Sequence, residues 1–169
     1  MENFNNIIRE HQDKIYRLVF SLVRNESAAD EIVQNTFILA YKNIKKFRHQ
    51  SSLSTWLSRI AINNTRNHYR KRKFFSLFYN NDDESPVEIE DISQNIEKDV
   101  ERNAIMKKVQ NAIDSLPSRQ KEVFIMKHIQ GMGIAHISEI LEISTGSVKA
   151  NIFKSVRNMR KNLGGIDEL

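Results

Sequence analysis

The sequence contains no cysteine, so neither a disulfide framework nor a thiolate zinc site can brace it. That fits a reducing cytoplasm, the expected location. No apolar stretch approaches the roughly 20 residues a membrane span needs, and Met1-Glu2-Asn3-Phe4 lacks the basic region and apolar run of an export signal. A soluble protein with no membrane insertion is expected. The five histidines (His11, His49, His68, His128, His136) have no metal-ligand spacing, and Asp30 and Glu31 are adjacent rather than paired across a cleft. There is no nucleotide-binding loop, no sustained strand alternation, no internal repeat and no low-complexity tract. No catalytic residue, metal or cofactor is therefore expected, and the chain does not read as an enzyme.

What is present is charge, unevenly spread. Net charge is +5, yet nine of the 21 acidic residues (Asp82, Asp83, Glu84, Glu88, Glu90, Asp91, Glu97, Asp99, Glu101) fall in one stretch whose only base is Lys98. The remainder carries 25 basic and 12 acidic residues, a surplus of 13 positive charges. Two basic bodies joined by an acidic strap are implied. Bodies that basic attract a polyanion, and nucleic acid is the commonest in a cytoplasm. The 169 residues and 40 % hydrophobic content suffice for two small helical cores.

Apolar spacing of three and four predicts helices throughout. Phe4, Ile7, Ile8, Ile15, Leu18, Val19 and Leu22 carry the first, ending near Asn25. Ser27 with Asp30 resembles a capping box for the second, built on Ala29, Ile32, Val33, Phe37, Ala40 and Ile44. After the loop Arg48-His49-Gln50-Ser51-Ser52, Ser54 is the expected cap of a third helix with Leu57, Ile60, Ala61 and Asn64 inside. Its continuation, Asn63 to Lys73, has five bases and no aliphatic residue, so it is expected to face water or a polyanion. Phe74, Phe75, Leu77, Phe78 and Tyr79 form an apolar cluster. Residues from about Asn80 to Lys98, with Pro86, read as an extended linker.

The second half resumes with Ile105, Val109, Ala112, Ile113 and Leu116, stopped by Pro117. Ser118 is expected to cap a helix through about Ile129, which Gly131 and Gly133 end. A short helix with Ile137, Ile140 and Leu141 follows, then a last one begun by Ser144 or Thr145 and holding Val148, Ile152, Val156 and Met159. This is a helix-turn-helix pattern, with small Ser138 at the crossing, Ile137, Leu141, Ile143 and Val148 inside, and Glu142-Ile143-Ser144 as the turn. The turn commonly needs a left-handed residue where Glu142 stands, which costs a glutamate roughly 1 kcal/mol. The last helix carries Lys149, Lys154, Arg157, Arg160 and Lys161 without one acid, as a helix entering a major groove requires.

Three motifs then resemble the sigma factor family of bacterial RNA polymerase. Ala29 to Phe37 (ADEIVQNTF) is similar to its polymerase-binding motif; Phe47-Arg48, Ser52 to Leu57 (SLSTWL), Arg59-Ile60-Ala61 and Asn63 are similar to its promoter-melting motif. Ser115 to Gln120 (SLPSRQ), Gly131 and Gly146-Ser147-Val148-Lys149 resemble its minus-thirty-five-binding domain. Their spacing leaves no room for the extra domains of housekeeping sigma factors, which points to the small extracytoplasmic-function (ECF) group.

The resemblance implies an all-α fold of two small domains: 1–79 for polymerase and the minus-ten element, an acidic linker at 80–98, and a helix-turn-helix domain at 99–169 for the minus-thirty-five element. It implies core polymerase contacts from Glu31, Gln34, Asn35 and Ile38, although Asn35 stands where the family has glutamate. Minus-ten recognition and melting would use Ser51, Ser52, Trp56, Arg59, Asn63, Arg66, Asn67 and Arg70. Minus-thirty-five recognition would use Lys149, Asn151, Phe153, Lys154 and Arg157. The implied partners are core RNA polymerase, promoter DNA and an anti-sigma factor. Trp56 is left open between a core role and a place beside the duplex edge. Two other readings exist: a free-standing helix-turn-helix regulator, which would bind DNA tightly without polymerase, and a nuclease, which would need clustered carboxylates or histidines.

Overall fold

The computed structural model describes residues 2–79 and 98–164, among which there are helices and turns and no strand. Helices α1 (Glu2–Val23), α2 (Glu26–Asn43) and α3 (Leu53–Tyr79) make the first domain. Ile15 and Val19 of α1, Ala29, Ile32, Phe37 and Ala40 of α2, and Leu57 and Ala61 of α3 are its core. Full burial of each large aliphatic side chain contributes about 1.5–3 kcal/mol. Asn64, expected inside, donates to Thr36 Oγ1 at 3.1 Å, and Thr36 in turn donates to the Ile32 carbonyl, so this buried polar pair ties α3 to α2.

Two helix starts differ from expectation. Arg24 adopts a left-handed φ of 54°, which ends α1 and lets Asn25 cap α2 by accepting from the Ala28 amide at 2.8 Å. Ser27 already lies inside that helix. Likewise Ser52, not Ser54, caps α3, accepting from the Thr55 amide at 3.1 Å, while Ser54 accepts from Lys14 Nζ. In both cases the capping residue is the one that reaches the first free amides once tertiary packing has set the helix axis.

The second domain comprises α4 (Lys98–Asp114), α5 (Ser118–Phe124), α6 (Ile134–Leu141) and α7 (Thr145–Leu163). The expected linker lies outside the described residues except for Lys98, which opens α4. Ser118 begins α5, but its side chain makes no capping bond; Pro117 occupies the cap position. A wider turn at Ile125–Ile129 extends α5 to its expected end, and Gly131, at φ +66°, turns the chain away. Ser144 caps α7 through the Ser147 amide.

Glu142 sits at φ 55°, ψ 44°, the left-handed conformation the turn requires. Ser138 Oγ donates to the Ile143 carbonyl at 2.5 Å and braces that turn. Relieving the backbone strain makes Glu142→Gly more stable by roughly 1 kcal/mol, because the exposed Glu142 contact it removes is weak. Urea unfolding measures this. A midpoint at or below that of the parent chain would mean the contact outweighs the strain.

The two domains do not stand apart. Leu18 and Leu22 of α1 and Ile62 of α3 belong to the same buried cluster as Ile125, Met126, Ile137, Ile140 and Val148. Gln130 Nε2 donates to Ser21 Oγ at 2.8 Å across this boundary. His136 of α6 lies here too; burial, with added repulsion from Lys14 of α1, lowers its pKa and keeps the imidazole neutral.

Candidate nucleic-acid interface

Helix α3 presents two polar sides. Positions 59, 62, 66 and 69 share one side, whereas 63, 67 and 70 lie along the next. Asn63, Asn67 and Arg70 are exposed. The Asn63 carboxamide oxygen accepts from Arg66 at 3.2 Å and that of Asn67 accepts from Arg70, so each arginine fixes how an amide is presented. An amide so held can offer its remaining donors to a base edge. Ser51 is half-buried and Ser52 exposed in the loop before α3. Trp56 is half-buried, its ring 5.0 Å from Phe47, whose ring lies 4.5 Å from His49. The tryptophan therefore both packs on the α1–α3 core and borders that loop.

Arg59 and Arg66 are placed differently from the others. Arg66 makes a two-pronged ion pair with Glu122 of α5, Nε to Oε1 at 2.7 Å and Nη2 to Oε2 at 2.8 Å. Hydrogen bonding to Glu122 raises the arginine's pKa, fixing its charge more firmly. Arg59 Nε donates to the Glu139 carbonyl at 2.8 Å, in the last turn of α6, with Nη1 3.5 Å from Glu142. The expectation that this end of α3 faces only water or a polyanion therefore needs correction. Part of it faces the second domain. Tyr69 shares that side: its hydroxyl donates to the Leu22 carbonyl at 2.9 Å, and burial raises the phenol's pKa.

On α2, Glu31, Gln34, Asn35 and Ile38 are all exposed. Ile38 is 49 % exposed, and its neighbours Leu39 and Tyr41, which the sequence reading passed over, are similarly open. Both fall off the inner set of α2 yet are apolar, and that was the available signal. Between α1 and α2 lies a groove of about 690 Å³ lined by Phe4, Ile8, Gln34, Phe37, Ile38 and Tyr41. An exposed apolar stripe with a groove beside it is what a protein partner covers.

Helix α7 buries Val148, Ser155 and Met159 and turns Lys149, Phe153, Lys154 and Arg157 outward. Phe153 is 70 % exposed, an apolar ring suited to a thymine methyl rather than to water. Asn151 is half-buried and donates to the Ser147 carbonyl at 2.8 Å. Among the described residues no group of acids and histidines could hold a metal ion, and no helix is long and apolar enough to cross a membrane.

A three-helix domain with an apolar partner-binding stripe, joined to a helix-turn-helix domain with an acid-free outer helix, defines a two-domain DNA-binding transcription factor. Family models for sigma-70 region 2 and sigma-70 region 4 match residues 7–75 and 106–159. The chain is 32 % identical over 167 residues to the ECF RNA polymerase sigma factor SigW of Bacillus subtilis, covering 95 % of this chain and 88 % of that one. It is 28 % identical over 159 residues to the RNA polymerase sigma factor SigV of the same organism, covering 92 % and 88 %. The sigma factor RpoE from Bartonella quintana, solved with the anti-sigma factor NepR, shares the fold: TM-score 0.69 at 20 % identity, over 96 % of this chain and 98 % of that one. The chain belongs to the ECF group of the sigma-70 family, the promoter-specific transcription initiation factors of bacterial RNA polymerase.

Proposed function

We propose that residues 1–79 bind core polymerase and the minus-ten element, residues 80–98 link the domains, and residues 99–169 bind the minus-thirty-five element. Glu31, Gln34, Asn35 and Ile38 contact polymerase. Ser51, Ser52, Trp56, Arg59, Asn63, Arg66, Asn67 and Arg70 hold the minus-ten strand, and Lys149, Asn151, Phe153, Lys154 and Arg157 read the minus-thirty-five element. The observation that carries this reading is the presence of two outward polar helix faces, Asn63-Asn67-Arg70 on α3 and Lys149-Phe153-Arg157 on α7, in separate domains. The protein works in the cytoplasm and catalyses no reaction itself. An anti-sigma factor is its further partner.

Strand opening is then driven by binding energy. Extruding a stacked base costs a few kcal/mol, which a pocket for the base and cationic contacts to the backbone offset. Open DNA is trapped rather than torn apart. Polymerase holds both domains at once, so two modest affinities act as one. Asn63→Ala is expected to slow promoter opening and to relax base preference at one minus-ten position, since a good base-edge contact is worth about 1–3 kcal/mol. Permanganate reactivity of the opened strand reports both. Opening at the parent rate with unchanged base preference would reduce Asn63 to a surface amide.

A further inference from the structure

We propose that the polymerase-free chain is closed upon itself, with Glu122 occupying Arg66 and the end of α6 occupying Arg59 in place of DNA. The proposal rests on the reading of those two arginines as minus-ten contacts. Arg59, Ile62 and Arg66 are spaced by three and four, so they form a single stripe along α3. Ile62 is 1 % exposed and lies in the cluster of the second domain, while the inner set of α3 faces α1 and α2. A stripe with an apolar centre and a cation on either side has the design of a docking surface.

The opposing surface matches it. Glu122 is only 6 % exposed, although α5 is a two-turn helix with bases at Arg119 and Lys121. Its partners are Arg66 from the first domain and Arg119 on its own helix at 3.2 Å. A carboxylate that deeply covered is tolerated when paired, and here the two-pronged partner comes from the other domain. Carboxylate and phosphate oxygens engage a guanidinium through the same fork, so Glu122 and a DNA phosphate compete for Arg66. Arg59 meets the negative end of α6, where a cation is favoured. Lys121 Nζ, 6.0 Å above the Tyr69 ring, adds a further contact from α5 to this side of α3.

The closed arrangement covers the Arg59–Arg66 stripe while leaving Asn63, Asn67 and Arg70 open. Free protein is thus unable to hold promoter DNA with its full α3 surface, and engagement of both promoter elements requires the domains to part. The balance is set by Glu122, which has no part in contacting DNA.

The absence of native cysteine makes the test direct. Dyes on Glu26→Cys and Lys108→Cys, both exposed and in different domains, report closure of the full chain by energy transfer. Glu122→Gln should lower transfer and raise the affinity of polymerase-free protein for promoter DNA with a single-stranded minus-ten segment by about tenfold. The exchange Arg66→Glu with Glu122→Arg keeps net charge and should restore transfer. Circular dichroism shows that each variant is folded. Parent-level transfer in Glu122→Gln, or opening with no gain in DNA affinity, overturns the proposal. Arg66→Ala in holoenzyme separates the two ideas: unchanged promoter opening there would remove the minus-ten role of Arg66, whereas the transfer signal reports the latch itself.

Discussion

Gln34→Ala combined with Ile38→Ala is expected to lower affinity for core RNA polymerase at least about tenfold, or roughly 1.4 kcal/mol, while leaving the fold intact. Both side chains are exposed on α2, and truncations at such sites usually change stability by less than about 0.5 kcal/mol. Their loss on binding is larger because Ile38 is half-open to water in the free chain and is desolvated only when a partner covers it. The groove beside it, with Phe4, Phe37 and Tyr41, gives that partner an apolar seat. Titration of labelled protein with core polymerase measures the effect, and circular dichroism monitors the fold. Parent-level binding by the double variant would move the polymerase contact off this face.

Asn151→Arg should change promoter choice rather than strength. Asparagine matches the acceptor and donor of adenine, whereas the arginine fork meets the two acceptors of guanine, and each such pair discriminates by about 1–3 kcal/mol. In the free chain the Asn151 amide is engaged by the Ser147 carbonyl, so base reading requires exchanging that neutral bond, a step costing about 1 kcal/mol. Preference for adenine at one minus-thirty-five position should therefore shift to guanine in the variant. Lys149, Lys154 and Arg157 differ in kind: phosphate contacts from them weaken all sequences alike when removed and lower the salt slope by about one unit each. Selection from randomised minus-thirty-five sequences with each holoenzyme decides. Identical motifs from parent and variant would show that Asn151 reads no base.

Local chemistry was legible in the sequence where one residue type has one physical option. The left-handed turn at Glu142 follows from the short link between two apolar helical patterns, and the residue sits there despite its strain. The core positions of α2 and α7 follow from spacing alone. Helix starts were less legible, because Asn25, Ser27, Ser52 and Ser54 can all cap and only packing chooses among them. The contact between domains was not legible at all. Periodicity marks which residues leave water, but Arg66 and Glu122 are 56 positions apart and nothing local pairs them. Two weak signs existed: Ile62 lies off the expected inner face of α3, and Glu122 is an acid among bases. Among the site residues, Asn63, Asn67 and Arg70 are brought together on the open side of α3, and Lys149, Phe153, Lys154 and Arg157 on α7. Arg59 and Arg66 are drawn to the domain boundary instead.

Run-off transcription with purified core polymerase on a randomised promoter library tests the central claim most directly. The account predicts transcripts only when the protein is added, from templates sharing two short elements at a fixed spacing, with neither element sufficient alone. Transcription unaffected by the protein, together with tight and specific DNA binding in the absence of polymerase, would contradict it and favour a free-standing helix-turn-helix regulator.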